Sequence, residues 1–195
     1  MAESNVVELR PNDHAPNDAS LVDQALEGAA WAEEALYRRH GREVYSVVLR
    51  LIGNTADADD IVQDAFIAAF ERLGQLREPG AFRGWLLSIA VRAVHRLFRR
   101  RSLRRRLGFS SQPDEVSLVI AGGASPELRA QIAEIEDILN RAGPAQRICW
   151  MLRHVEGYTL REVAKLTGCS LATAKRRIAA AHKHLEQCID REDVS

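Results

Sequence analysis

Cysteine is scarce in this chain: there are three, at 149, 169 and 188, widely spaced and odd in number. They form no C-x-x-C pair, and His154, His182 and His184 do not complete a metal-ligand spacing with them. A disulfide scaffold and a structural zinc are therefore set aside for buried thiols in a reducing cytosol. No apolar run approaches bilayer-crossing length, and the acidic amino-terminal stretch lacks the hydrophobic segment of a signal peptide. No membrane insertion is expected, and the expected location is the cytoplasm. No glycine-rich phosphate loop, nucleophile–base pair or Cys/His cluster is visible, so neither an enzyme nor a cofactor-binding protein is expected. Net charge is missing as well, since 27 basic residues balance 27 acidic ones. The total alone says nothing about an anionic partner.

The distribution of that charge says more. From Leu21 to Gly80 there are eleven acids against six bases, and from Ala81 to Leu107 nine arginines with no acid. From Tyr158 to the end, seven bases face five acids. An acidic surface beside a basic one points to two different partners. Within the arginine-rich stretch, helical spacing puts Ser88, Arg92, His95, Arg96 and Arg99 on one stripe. Leu86, Ala90, Ala93 and Leu97 fall well round from it, with Val94 and Phe98 beyond. Like charges one turn apart repel, and phosphate is the commonest partner that offsets the repulsion. Cations also suit a helix C-terminus, so Arg99–Arg101 and Arg104–Arg106 alone are equally well read as a solvated helix end. Stripe and terminus together favour nucleic acid.

The apolar fraction, 46 %, supports a packed core within one or two domains. Residues 1–19, with Pro11, Pro16 and four acids, read as a flexible tail. Ser20 with Asp23 reads as an N-cap and its N3 partner opening a short helix to about Gly28. A longer helix follows from about Ala30 to Ile52 and stops at Gly53-Asn54. Thr55 to Asp57 cap a third, about Ala58 to Arg72, whose inward stripe is Val62, Ala65, Phe66, Ala69 and Leu73. The arginine helix completes a four-helix first domain, 20–107, with no period-two strand pattern in it. Residues 108–125, rich in Gly, Ser, Pro and Asp around an apolar Val116–Ala121, read as a linker.

The second domain, 126–195, opens on Ser125-Pro126-Glu127, an N-cap with proline at N1 and an acid in the first turn. A helix to about Asn140 precedes Gly143-Pro144, which opens another to about Val155. Thr159 and Glu162 form a capping box, with Tyr158 and Val163 spaced for a hydrophobic staple. The following helix ends at Gly168, and Ser170 caps the last one, with Leu171, Ala174, Ile178, Ala181 and Leu185 inward. The predicted architecture is all-α, two four-helix domains on a flexible linker. Its last two helices, joined by Thr167-Gly168-Cys169-Ser170, make a helix-turn-helix. Ala172, Thr173, Lys175, Arg176, Ala179 and Lys183 face outward, where lysine and arginine can reach guanine edges in a major groove. Helical hairpins are also ordinary packing units, but the basic outer face favours DNA. In the third helix of the first domain, Asp57, Asp60, Gln63 and Asp64 face outward beside Ile67. Acids in a first turn complement the helix dipole. That does not account for Gln63, Asp64 and Ile67 together, and a protein-binding face does.

These residues carry a resemblance. Asp57-Ala-Asp-Asp-Ile-Val-Gln-Asp-Ala-Phe66 resembles the polymerase-binding motif of bacterial sigma factors of the extracytoplasmic-function (ECF) class. Phe82-Arg-Gly-Trp-Leu86, followed by Ile89-Ala90 and the arginine-rich end, resembles that class's promoter-melting segment. Residues 157–175 are similar to its C-terminal helix-turn-helix, and the three motifs occur in the class's order. The resemblance implies an alternative transcription initiation factor that binds core RNA polymerase. Asp57, Asp60, Gln63, Asp64 and Ile67 would dock on the clamp helices of the largest subunit, and the flap region is a further implied contact. The Gln75–Gly80 loop and Arg83, Ser88, Arg92, His95, Arg96, Arg99 and Arg100 would engage the minus-ten element, double- and then single-stranded. Ser170, Ala172, Thr173, Lys175, Arg176 and Lys183 would read the minus-thirty-five element. An anti-sigma protein is an implied partner. The class commonly has Asn where this chain has Arg92 and Asp where it has Arg96. Asn suits adenine, whereas arginine prefers guanine edges or phosphate. Trp85, near the angle of Arg92, is open to a stacking role or to partly buried core. The competing reading is a stand-alone helix-turn-helix regulator, which leaves the acidic face unexplained.

Overall fold

The computed structural model describes residues 16–107, 125, 134–135, 138–139 and 141–192. Every element among them is helical: α1 (Asp18–Leu26), α2 (Ala30–Ile52), α3 (Thr55–Glu71), α4 (Phe82–Arg106), α5 (Pro144–His154), α6 (Leu160–Thr167) and α7 (Leu171–Glu192), with short 3-10 turns at 73–75 and 79–81. The expected tail up to residue 15, most of the expected linker and most of the helix expected before Asn140 lie outside the described residues.

Local chemistry sets the helix ends. α1 begins two residues before Ser20, because Asn17 is the cap and its side chain accepts the Ser20 N–H at 2.9 Å. α2 stops at Gly53, which takes φ 78°, a left-handed turn suited to glycine. Asn54 then caps α3 by accepting the Asp57 N–H at 3.0 Å. The Thr159–Glu162 capping box is complete, and Gly168 ends α6 at φ 67°. Leu171, expected inward, is 47 % exposed, since the first turn of α7 projects it past the small domain's core, which Ala174, Ala181 and Leu185 reach.

In the first domain α1 packs on α2, α2 on α3 and α3 on α4. Leu36, Val44, Val48, Leu51, Val62, Phe66, Phe82 and Leu86 are buried between them. A row of rings, Tyr37, Phe66, Phe70, Phe82 and Trp85, runs through this core at successive centroid spacings of 4.7, 5.8, 6.3 and 6.4 Å. The amino-terminal end is tied down where Asp18 bonds Arg39 at 2.7 Å and the buried His40 at 2.9 Å.

α4 is apolar on two sides. Phe82, Leu86, Ala90 and Val94 face the first core, while Leu87 and Val91, one turn apart, are 2 % and 1 % exposed. That second side lies against α5 and α6. The two domains therefore meet across α4. Arg50 near the end of α2 forks onto Glu156, Nε and Nη2 donating to the two carboxylate oxygens at 2.5 and 2.6 Å. Arg147 of α5 is buried, donates to the Leu51 carbonyl at 3.2 Å and places its guanidinium 5.1 Å from the Phe98 ring centroid.

Candidate nucleic-acid and polymerase interfaces

On α3, burial of Ile61, Val62, Ala65 and Phe66 forces the opposite side of the helix outward. Asp60, Gln63 and Asp64 are exposed there, and Ile67 is 49 % exposed. Asp57 is half-buried, its carboxylate accepting from Arg101 Nη2 at 2.6 Å. The negative face is thus continuous, with one acid already paired to the arginine helix. A groove of about 630 Å³ between α2 and α3 adjoins it, lined by Tyr37, Tyr45, Asp59 and Gln63 among others.

The α4 residues divide into two groups. Arg96, Arg99 and Arg100 are exposed and line an open basic groove of about 480 Å³ with Pro144. Arg83, at the start of the helix, is held by Glu43 through Nε at 2.8 and 3.0 Å, with Nη2 also on the carboxylate. That hydrogen bonding holds the Glu43 carboxyl below its usual range and raises the guanidinium. Ser88 and His95 lie on the side against which the second domain packs, and Arg92, between them, is exposed at its edge. Ser88 is buried, its hydroxyl donating to the Trp85 carbonyl at 2.7 Å and accepting from Arg92 Nη2 at 3.3 Å. A Cβ added at Gly168 would stand 3.7 Å from Arg92 Nε, so the helix-turn-helix corner sits directly on this arginine. His95 is half-buried, and burial, then Arg177 and Arg99, lower its pKa. A small cavity of about 100 Å³ closes the seam among Val91, Arg92, His95, Gly168, Cys169 and Arg177. Trp85 is half-buried at the end of the ring row. It also lines a cleft of about 750 Å³ with Gln75, Leu76, Ser88, Tyr158 and Lys165. Burial pushes the Tyr158 phenol up.

The helix-turn-helix presents its other side to solvent. Ser170 accepts the Thr173 N–H at 3.2 Å and so caps α7. Ser170, Ala172, Lys175, Arg176 and Lys183 are exposed, and Thr173 is half-buried with its hydroxyl 2.9 Å from that of Ser170. Five of the six outward candidates are thus free of the first domain's cover, unlike Ser88 and His95. Sequence reasoning missed Arg50, Arg147 and Glu156, the residues that join the domains. A charged Arg147 within an amphipathic helix's apolar run was the one local signal available.

Residues 36–104 match the description of sigma-70 region 2, and residues 131–185 that of sigma-70 region 4. The chain is 31 % identical over 171 residues to the ferric citrate uptake sigma factor FecI of Escherichia coli, covering 84 % of this chain and 94 % of FecI. It belongs to the ECF sigma factors. A second relative of this sigma factor is the ECF RNA polymerase sigma factor SigE of Mycolicibacterium smegmatis, 30 % identical over 187 residues, 91 % of this chain and 69 % of SigE. Among solved structures it resembles CnrH, in complex with the cytosolic domain of CnrY, with a TM-score of 0.59 and 26 % identity over 89 % of this chain and 97 % of that one. As an alternative sigma factor it directs promoter-specific transcription. None of its described helices is long and apolar enough to cross a membrane.

Proposed function

We propose that this sigma factor grips core RNA polymerase through the acidic face of α3 and reads promoters with α4 and α7. Asp57, Asp60, Gln63, Asp64 and Ile67 dock on the clamp helices of the largest subunit, and the second domain meets the flap region. The Gln75–Gly80 loop, with Arg83, Ser88, Arg92, His95, Arg96, Arg99 and Arg100, engages the minus-ten element. The 750 Å³ cleft beside Trp85 offers room for an unstacked base, the means by which single-stranded template is trapped. Ser170, Ala172, Thr173, Lys175, Arg176 and Lys183 read the minus-thirty-five element in a major groove. Domains spanning 20–107 and 126–195, tethered by 108–125, make the second contact intramolecular, so affinity rises only for correctly spaced elements. The protein acts in the cytoplasm and performs no chemistry of its own, the polymerase making the bonds. An anti-sigma protein is its natural inhibitor, a reading supported by CnrH, which is solved with a cytosolic domain of CnrY.

The observation that carries this reading is one chain with three separate surfaces: an acidic face on α3, a basic run on α4 and a basic, capped recognition helix at α7. Transcription reconstituted with core polymerase over a randomised promoter library tests it. The expected result is initiation at a bipartite consensus only when the protein is added. Tight footprinting of DNA by the protein without polymerase, and no change in start sites with it, would replace this reading with that of a stand-alone helix-turn-helix regulator.

A further inference from the structure

The groove of about 630 Å³ between α2 and α3 has an apolar floor and two walls of opposite sign. Val62 is buried in it, Tyr45 is half-buried, and Tyr37 keeps half of its surface open to water while its ring lies 4.7 Å from that of Phe66. Gly41 widens the hollow between the two tyrosines, since no side chain stands there. Arg42 on α2 and Asp59 on α3 both line the groove and are exposed. Neither is ion-paired among the described residues, with the other or with any third group. Opposite charges that face one hollow without bonding each other suit an occupant that carries the complementary pair.

The chain itself enters beside this groove. The Pro16 carbonyl accepts from Arg39 Nη2 at 2.7 Å, and Arg39 and Arg42 are neighbours one turn apart on α2. Residues 1–15 precede that point, and within them Val7-Glu8-Leu9-Arg10 alternates in polarity. In an extended strand Val7 and Leu9 share one side, and Glu8 and Arg10 share the other. From Pro16 back to Leu9 an extended chain spans about 23 Å. That is more than twice the roughly 9 Å of helix between Arg39 and Tyr45.

We propose that the chain's own amino-terminal segment docks in the α2–α3 groove, Val7 and Leu9 on Tyr37, Tyr45 and Val62, Glu8 on Arg42 and Arg10 on Asp59. Exposed ion pairs contribute little each, and two aliphatic side chains bury a modest area. Tethering makes the contact intramolecular, so such weak terms suffice for partial occupancy. Gln63 lines the same groove, so the docked segment lies across the edge of the acidic face of α3. One consequence rests on the reading of that face as the polymerase's dock: polymerase has to displace the segment. A groove filled four-fifths of the time weakens the apparent affinity for polymerase about fivefold.

The test uses the full chain, with valine and leucine methyl groups and tyrosine rings labelled for nuclear magnetic resonance. The expected result is nuclear Overhauser contacts from the Val7 and Leu9 methyls to the Tyr37 and Tyr45 rings. Arg42→Glu should abolish them, and adding Glu8→Arg to that variant should restore them. Arg42 is exposed, so the amide spectrum of the helices should stay that of the parent. Contacts missing from the parent overturn the docking, and so do contacts that survive Arg42→Glu. Binding to core polymerase is measured in parallel by fluorescence anisotropy. The double variant Val7→Asp with Leu9→Asp cannot enter an apolar floor and should bind about fivefold tighter than the parent. Ring contacts in the parent with no change of polymerase affinity in that variant would keep the docked segment and remove the groove edge from the polymerase's dock. Missing contacts beside intact promoter-dependent transcription would overturn the docking and leave the reading of α3 standing.

Discussion

Arg92 stands where two demands meet. Its guanidinium donates to Ser88 within α4 and lies against Gly168 of the second domain. Arginine is the side chain whose planar fork suits guanine edges and phosphate, and asparagine the one that suits adenine. Arg92→Asn should therefore change the preferred bases of the minus-ten element in a randomised-library selection; an identical consensus would mean that Arg92 reads no base. Asp60 and Gln63 are exposed and make no contribution to the α3 core. Asp60→Lys combined with Gln63→Ala should abolish co-purification with core polymerase while leaving helicity and melting temperature near those of the parent. Retained co-purification would remove the docking role from this face. Asp57 is a poorer choice for that experiment, because its bond to Arg101 ties α3 to α4 and its loss would mix docking with packing.

At the level of the element, much was readable before any coordinates. α2 has the bounds its apolar spacing predicts, because Gly53 supplies a left-handed stop that other residues resist. The Thr159–Glu162 box is a purely local pattern, and it forms as such. The cap of α1 lies three residues before the expected one, because Asn17, like Ser20, carries a good capping oxygen and local sequence does not choose between them. What could not be read was the second apolar side of α4. Leu87, Val91 and Phe98 look from the sequence like a widening of one hydrophobic face, whereas they serve a separate contact. The site residues of α4 were identified as a stripe, but not that Ser88 and His95 share it with α6, α7 and their turn. For α7 the exposed side is free, and its prediction is simpler. Lys175→Ala and Arg176→Ala should each weaken promoter use by roughly 1–3 kcal/mol if bidentate to a base. Competition assays against minus-thirty-five variants would show the loss confined to the contacted position; a uniform loss with a shallower salt dependence would mark a phosphate contact instead.

Across the whole molecule, the pairing of Arg50 with Glu156, 106 residues apart, has no local signature, and only the folded chain reveals that two domains share one helix. Acid offers a way to probe that arrangement. His95 faces Arg92 and Arg99 on its own helix and Arg177 and Cys169 from the second domain. Burial first, then Arg177 and Arg99, lowers its pKa below the ordinary 6.5. An imidazole whose pKa is lowered where the two domains pack together is neutral there and gains its proton more readily once they part. Its contribution to the contact between the domains is complete above pH 6.5 and is lost as pH falls from 6.5 toward the lowered value. The radius of gyration should therefore grow over that interval, and His95→Gln should flatten the response; an equal acid response in the variant would assign it elsewhere.

The fastening of Asp18 by Arg39 and His40 also fixes how far this protein can be shortened. Cutting after Asp18 would strip a buried imidazole of its acid and the first helix of its Asn17 cap at one stroke, and water has little access to the imidazole. Any trimmed version intended for crystals or for spectroscopy has to keep that dipeptide.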